Sequence, residues 1–305
     1  MSEPGSPART LCLGEALVDL ICERPIDELP QADAFVPHFG GVVANVAVVA
    51  ARHGAGVALA GGAGDDGWGR WLRARLEREG VDTSMFELIE GMPTPLAMVA
   101  IDSYGQPSYV VYGNSTATVA HALAGRVDEA VRASAALFIS SNTLVSANER
   151  EVTMRARERA LALGRPVIFD PNLRLHRWAS HADAVAAATA CLPGALLVRA
   201  NDSEAALMTG ERDPERAAWA LFEAGAHVAV VTLGAGGAIV RGQVEAGAPG
   251  VPTRVISTVG AGDVLTGILV ARLAAQGFDP AALPAALPEA VEQSARACER
   301  WGALE

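Results

Sequence analysis

The chain has 305 residues, half of them apolar, and a formal net charge of -11. That is enough to bury a sizeable core in one large α/β unit or two small ones, and without a basic patch it excludes nucleic acid and anionic membrane as partners. All 24 basic residues are arginines, so a Walker A loop, a protein-kinase strand lysine and Schiff-base or pyridoxal phosphate chemistry are excluded with the lysine each requires.

Met1 to Thr10 is short, rich in Pro and Ser, and lacks an apolar signal core. Arg9 to Cys22 reads as one buried strand with a break at Gly14 and Asp19 near its end. Pro25 to Phe39 carries three prolines and predicts short strands and turns outside the main sheet. Val42 to His53 predicts a helix of small residues, Ala55 to Ala60 a strand, Gly61 to Gly69 a turn-rich loop, and Trp68 to Glu79 an amphipathic helix. The apolar stretch Val42 to Ala60 is interrupted by Asn45, Arg52 and His53 and is too polar to span a bilayer. The runs on either side of Asp102-Ser-Tyr-Gly105 predict a hairpin over Pro95 to Tyr112. Together with the proline-rich segment this gives a small β lid, about 23–40 and 94–114, on a single domain of 1–305.

From Leu137 onward strands and helices alternate. Strands are predicted at Leu137 to Ser140, Pro166 to Asp170, Ala195 to Arg199, His227 to Thr232, Ala238 to Arg241 and Arg254 to Ile256. Helices are predicted at Ala147 to Leu163, Ala182 to Cys191, Ser203 to Thr209, Asp213 to Gly225, Gly262 to Gln276 and Pro288 to Trp301. This alternation predicts a doubly wound α/β fold: a largely parallel sheet with helices on both faces and ligands beyond the carboxyl ends of its strands.

The strongest chemical signal is Ser257-Thr-Val-Gly260-Ala261-Gly262-Asp263, followed by an apolar helix. A glycine turn entering a helix exposes backbone N–H groups and, with the helix dipole, makes an anion site. Asp263 in the first helical turn can take a proton from an attacking hydroxyl; the competing reading is a capping acid. Thr232-Leu233-Gly234-Ala-Gly236-Gly237 lets backbone approach phosphates, or is simply a tight turn, and it is not a Rossmann fingerprint. Asn201-Asp-Ser-Glu204 fits either a helix-capping arrangement or residues that orient the water shell of Mg²⁺. Asp170-Pro-Asn172-Leu-Arg174 follows a strand, and Arg174 offers the positive charge that no lysine supplies. Asp19, with Gly40-Gly41 and Asn45 at the start of the first helix, suits recognition of a polyhydroxyl compound. Asp65 and Asp66 read as loop and cap residues. The histidines, His53, His176 and His181 among them, show no metal spacing. The four cysteines, Cys12, Cys22, Cys191 and Cys298, form no C-x-x-C pair and read as free thiols of a reducing cytoplasm.

In this order the motifs resemble those of the ribokinase-like (PfkB) carbohydrate kinases, over nearly the whole chain, and GEALVDL and DPNLRLHRW look most like the fructokinase and 2-keto-3-deoxygluconate kinase branch. The resemblance implies ATP-dependent phosphorylation of a sugar hydroxyl, with Asp263 as the base and Gly260, Ala261 and Gly262 as the anion hole. It places Asn201 and Glu204 at Mg²⁺ and phosphate, Asn172 and Arg174 near phosphates and substrate, Thr232 to Gly237 at the nucleotide, and Asp19, Gly41 and Asn45 at the sugar. It also implies a homodimer formed through the lid. Three departures stand out. Ser257 replaces the family's usual aspartate, which argues against a monovalent-cation site. Val259 replaces a frequent threonine. Gly113-Asn114 stands where an arginine usually faces the substrate, which favours a neutral sugar over a carboxylated one. The chain ends soon after Trp301, where relatives often continue into a strand, so an altered adenine pocket is expected. A nucleoside kinase and a non-catalytic sugar- or nucleotide-binding protein on the same scaffold are the alternatives.

Overall fold

In the computed structural model, residues 9–113 and 117–304 are described. The first strand, β1 (Arg9–Leu13), lies in the main sheet, and after Gly14 the chain enters β2 (Leu17–Ile21) in a second sheet. The single strand expected over Arg9 to Cys22 is therefore two, and Asp19 belongs to the smaller sheet. Next come β3 (Val36–Gly40), α1 (Val42–Arg52), β4 (Gly56–Gly64) and α2 (Gly67–Arg78). The loop expected over Gly61 to Gly69 is strand as far as Gly64 and helix from Gly67, and only Asp65 and Asp66 separate β4 from α2. Its glycines serve close approach, since a Cβ on Gly64 would lie 2.0 Å from the Met92 carbonyl oxygen.

The chain continues through β5 (Phe86–Ile89), β6 (Leu96–Ile101), β7 (Pro107–Tyr112), α3 (Ala117–Ala122), α4 (Val127–Arg132), β8 (Ala136–Ser140), α5 (Ala147–Ala162) and β9 (Val167–Asp170). Of these, β5, α3 and α4 are short elements that the sequence pattern does not mark. Then follow α6 (His181–Thr189), β10 (Leu197–Asn201), α7 (Asp202–Thr209), α8 (Pro214–Glu223), β11 (Val228–Thr232), β12 (Ala238–Gly242), β13 (Ala246–Ala248), α9 (Ala261–Ala275) and α10 (Leu283–Ala297). Two expectations fail here. Residues 254–256 are not a strand, because β13 takes the place beside β12 while the Ile256 and Ser257 N–H groups donate to the Cys298 carbonyl at 2.7 and 3.2 Å. The last helix starts at Leu283 rather than Pro288 and encloses that proline, because Leu283, Ala286 and Leu287 are buried in the core.

The main sheet has nine strands in the order β13-β12-β11-β10-β9-β8-β1-β4-β5 and is parallel from β11 to β5. Only β12 and β13 run antiparallel to their neighbours. Strand side chains alternate between two cores. Cys12 and Phe138 meet α1, α2, α9 and α10 on one face, while Leu11, Leu13 and Ile139 meet α3 to α8 on the other. The strands buried on both faces read as near-continuous apolar runs, as a covered parallel sheet requires. A second sheet of four strands, β3-β2-β6-β7, stands over the carboxyl edge of the first. The hairpin of β6 and β7 turns at Asp102, whose carboxylate accepts from the Tyr104 and Gln106 N–H groups, both at 2.8 Å. Its tip docks on the loop before α9, where Gly105 O accepts from Thr258 N at 2.8 Å and Thr258 Oγ1 at 3.0 Å.

Candidate active site

Pairing registers place Ser140 beside Asp170 and Asn201 beside Thr232, so β8 ends level with β9, and β10 ends level with β11 two residues further on. Between these ends and the small sheet lies a cleft of about 1330 Å³. It is lined by Asp19, Gly41, Asn45, Asn172, Arg174, Asn201, Glu204, Thr232, Gly234, Gly237 and Gly260 to Asp263. Of the residues the sequence assigns to catalysis, nucleotide or sugar, Gly40, Leu233 and Gly236 do not line it. Gly40 ends β3 against the Asp19 carboxylate, where a Cβ would meet Oδ2 at 2.3 Å, and Leu233 packs into the core.

α9 begins at Gly260, whose left-handed backbone (φ 73°) turns the chain into the helix. The first-turn N–H groups of a helix have no acceptor within it. The Ala261 N–H turns back to Thr258 O at 3.3 Å, and Ser294 of α10 steadies the turn by donating to Ala261 O at 2.7 Å. Gly262 is pressed against a buried guanidinium, since a Cβ there would lie 2.6 Å from Arg199 Nη1. Asp263 follows, buried, and its Oδ2 accepts from Asn45 Nδ2 of α1 at 2.8 Å. Burial pushes its pKa up to about 6 against the pull of the Asn45 hydrogen bond. Asp19, on β2, is pushed up to about 7 by burial and by the Asp263 charge, with Arg174 pulling it back.

Under the strand ends runs a hydrogen-bonded network. Asp170 is fully buried and accepts from Asn172 N at 3.1 Å, Thr266 Oγ1 at 3.1 Å and Arg199 Nη1 at 3.3 Å. Arg199 also donates to Thr232 Oγ1 at 2.9 Å. Glu204 accepts from Leu173 N at 2.8 Å and Asn201 N at 3.0 Å, while Asn201 Oδ1 accepts from Glu204 N at 2.8 Å. The capping arrangement is thus present. Burial and the nearby Asp170 charge raise the Glu204 pKa. Arg174 lies over the Tyr109 ring, 5.3 Å from its centroid. Burial works against the Arg174 charge, but Tyr109 and the Asp263, Glu204 and Asp170 carboxylates outweigh it and raise its pKa.

Several groups here escaped the sequence reading. Arg199 is a charge inside the buried strand LVRAN, a mismatch that could have flagged it. Glu15, Asn142, Tyr109 and Arg177 also line the cleft, but only the fold brings them together. Asp66 caps α2 by accepting from Gly69 N at 2.8 Å, and Asp65 pairs with Arg70 at 2.6 Å, as a cap and a loop residue would. His176 reaches the cleft mouth. Ser257 is fully buried, and its Oγ accepts from Val259 N at 3.1 Å. Asn114 lies outside the described residues.

Among the described residues no group of three or more His, Cys, Asp and Glu side chains is placed to hold a metal ion directly. The donors do fit a hydrated Mg²⁺ that is also held by phosphate. Asp170 and Glu204 concentrate negative charge beside the cleft, and Asn172 Oδ1 is a buried acceptor without a protein partner.

A small sheet over the carboxyl edge of a doubly wound sheet, with a glycine turn and a buried acid at a helix start, defines a ribokinase-like kinase fold. The profile described as "pfkB family carbohydrate kinase" matches residues 8–301. The chain belongs to that family and is an ATP-dependent sugar kinase. It is 31% identical over 271 residues to fructokinase-1 of Oryza sativa subsp. japonica, covering 88% of this chain and 84% of that protein. The fructokinase of Vibrio cholerae O395, solved with fructose, ADP and calcium ion, superposes with a TM-score of 0.82 at 26% identity, covering 97% and 94% of the two chains. The aminoimidazole riboside kinase of Salmonella enterica, solved with aminoimidazole riboside and an ATP analog, gives 0.81 at 25% identity, covering 97% and 95%.

Proposed function

We propose that the protein phosphorylates a hydroxyl of a small neutral sugar of the fructose type, with Asp263 as the base. The observation that carries this reading is the placement of Asp263. It is a buried carboxylate in the first turn of α9, held by Asn45 at 2.8 Å and flanked by the Gly260 to Gly262 turn. A base whose pKa lies near 6 is ionised at neutral pH yet still basic enough to accept a proton.

Asp19, Gly41 and Asn45 hold the sugar so that one hydroxyl faces Asp263. Thr232, Gly234 and Gly237 lie along the nucleotide, and Arg174 and Asn172 meet its phosphates. As the hydroxyl oxygen attacks the γ-phosphoryl group, its proton passes to Asp263 Oδ. The N–H groups at the start of α9 and its dipole stabilise the charge spread over the transferring oxygens. Mg²⁺, oriented through water by Asn201 and Glu204, offsets phosphate charge when bound. Positioning of this kind supplies much of the rate of phosphoryl transfer, because the protein has little covalent chemistry to do.

ADP release with D-fructose, ATP and Mg²⁺ tests the reading. Turnover is expected for the wild type and loss by about 10²–10⁴-fold for Asp263→Asn; a variant that turns over normally would remove Asp263 as the base. A riboside substrate is the second reading, supported by the likeness to the Salmonella enzyme, and belongs in the same assay. A non-catalytic binding protein is the reading left standing if sugar binds and no substrate is turned over. Four free, buried cysteines support a cytoplasmic location. Among the described residues no helix is long and apolar enough to cross a membrane. Exposed Val36 of β3 and Val110 and Tyr112 of β7 support the four-stranded sheet, taken as a lid of about 23–40 and 94–114 on one domain, as a homodimer contact.

A further inference from the structure

Arg174 lines the cleft from the segment after β9, and its backbone is fixed on both sides. Asn172 holds a left-handed backbone (φ 37°), Leu173 N donates to Glu204 Oε1 at 2.8 Å, and Arg174 O accepts from Arg177 N at 2.8 Å. The side chain is held differently. Among the described residues none forms a hydrogen bond or ion pair with the Arg174 guanidinium, and it rests on the Tyr109 ring, 5.3 Å from the centroid.

The carboxylates of Asp263, Glu204 and Asp170 act on Arg174 through charge alone, from α9, α7 and β9. Attraction from several sides draws the guanidinium into the cleft without fixing its plane. A ring face does fix it, because a guanidinium is attracted to the face and stacks on it. Tyr109 is itself well supported. It stands on β7 opposite Val99 of β6 and packs on the apolar cluster that holds Leu17, Ile21, Ile101 and Val259. It lines both the cleft and a neighbouring cavity of about 400 Å³, so removing the ring gives the guanidinium room to turn away.

We infer that Tyr109 is a positioning residue for phosphoryl transfer: its ring, carried by the small sheet, holds the Arg174 guanidinium with its N–H groups open to the terminal phosphate of the nucleotide. This rests on the sugar-kinase reading above and on Arg174 meeting the phosphates. A cation set in place beforehand stabilises developing charge without reorganising during the reaction.

The test is a double-mutant cycle of Tyr109→Leu and Arg174→Met, with Tyr109→Phe as the conservative variant. It is read by kcat/KM for ATP with D-fructose or a riboside in excess and, separately, by ATP affinity from calorimetry. Tyr109→Leu should lower kcat/KM by about 5–30-fold, the scale of a cation–π contact, and Tyr109→Phe should restore most of that loss. On the Arg174→Met background Tyr109→Leu should cost less than about twofold. Equal losses on both backgrounds, or a loss that phenylalanine does not restore, would overturn the proposal and leave Tyr109 a packing residue. So would an impaired Arg174→Met beside a Tyr109→Leu of wild-type rate, with the role of Arg174 intact. Should Tyr109→Leu not fold, Tyr109→Met takes its place in the cycle. An Arg174→Met of wild-type rate would remove Arg174 from the phosphates and the proposal with it. If the wild type turns over no sugar, the kinase reading fails, and the ATP-affinity cycle still decides whether Tyr109 sets Arg174 against the nucleotide.

Discussion

The two walls of the cleft are built differently. On the main-sheet side the charged groups serve one another: Asp170 accepts three hydrogen bonds, Arg199 bridges it to Thr232, and both oxygens of Glu204 are taken by backbone, leaving Asn172 Oδ1 and Arg199 Nε without protein partners. On the side formed by β2 and α1, Glu15 Oε2 and Asn45 Oδ1 are buried without protein partners, and Asp19 and Asp263 are carboxylates held near neutrality. Buried polar groups that satisfy one another make a rigid scaffold, whereas buried acceptors without donors cost stability and await a ligand. Damage to the first wall should therefore appear mainly in folding, and damage to the second mainly in substrate recognition and turnover.

The largest expected effect on stability falls on the first wall. Arg199→Met leaves Asp170 buried without its cation and should destabilise the protein by about 3–5 kcal/mol, read from denaturant unfolding. A change below 1 kcal/mol would mean that water satisfies Asp170 and that the wall is less closed than described. On the second wall the sign reverses. Burial raises the Asp263 pKa to about 6, so its charge weakens the fold at neutral pH, and Asp263→Asn should stabilise the protein by on the order of 2–3 kcal/mol.

The pH dependence follows from the same two acids. Asp19 and Asp263 bind protons more tightly in the folded state, at about 7 and about 6. Their contribution to stability is fully present below the ordinary carboxyl value of 3.8 and is lost as the pH rises from there through about 6 and about 7. Activity runs the other way: kcat/KM should fall as the pH drops through about 6, because a protonated Asp263 cannot accept the proton. The two acids interact, so the profile belongs to the pair. Stability and activity that rise together from about pH 4 to about pH 6 would break the contrast between the walls. The smallest effect concerns Ser257. With a hydroxyl bonded to Val259 N at 3.1 Å in place of a carboxylate, replacing potassium by a bulky organic cation should leave the rate unchanged.

The glycine turn before Asp263, the capping pair Asn201 and Glu204, and the alternation after Leu137 were legible in the sequence because each is local. Backbone geometry at a helix start depends on neighbouring residues, and a parallel sheet writes itself as repeated apolar runs. The partition of Arg9 to Cys22 between two sheets was not legible, since one continuous apolar run serves either sheet equally well. Nor was the second wall: Glu15, Asn142 and Arg177 meet only because β1, β8 and the segment after β9 end side by side. The helix start at Leu283 was hidden by Pro288, whose usual meaning is overridden by the burial of the turn before it.

The central claim is that Asp263 is a base whose burial costs stability. It is tested most directly by measuring Asp263→Asn in one preparation for turnover, ATP affinity and melting temperature. The account predicts lost turnover, unchanged ATP affinity and a higher melting temperature. Near-normal turnover, or lost turnover together with lost ATP affinity and a lower melting temperature, would contradict it.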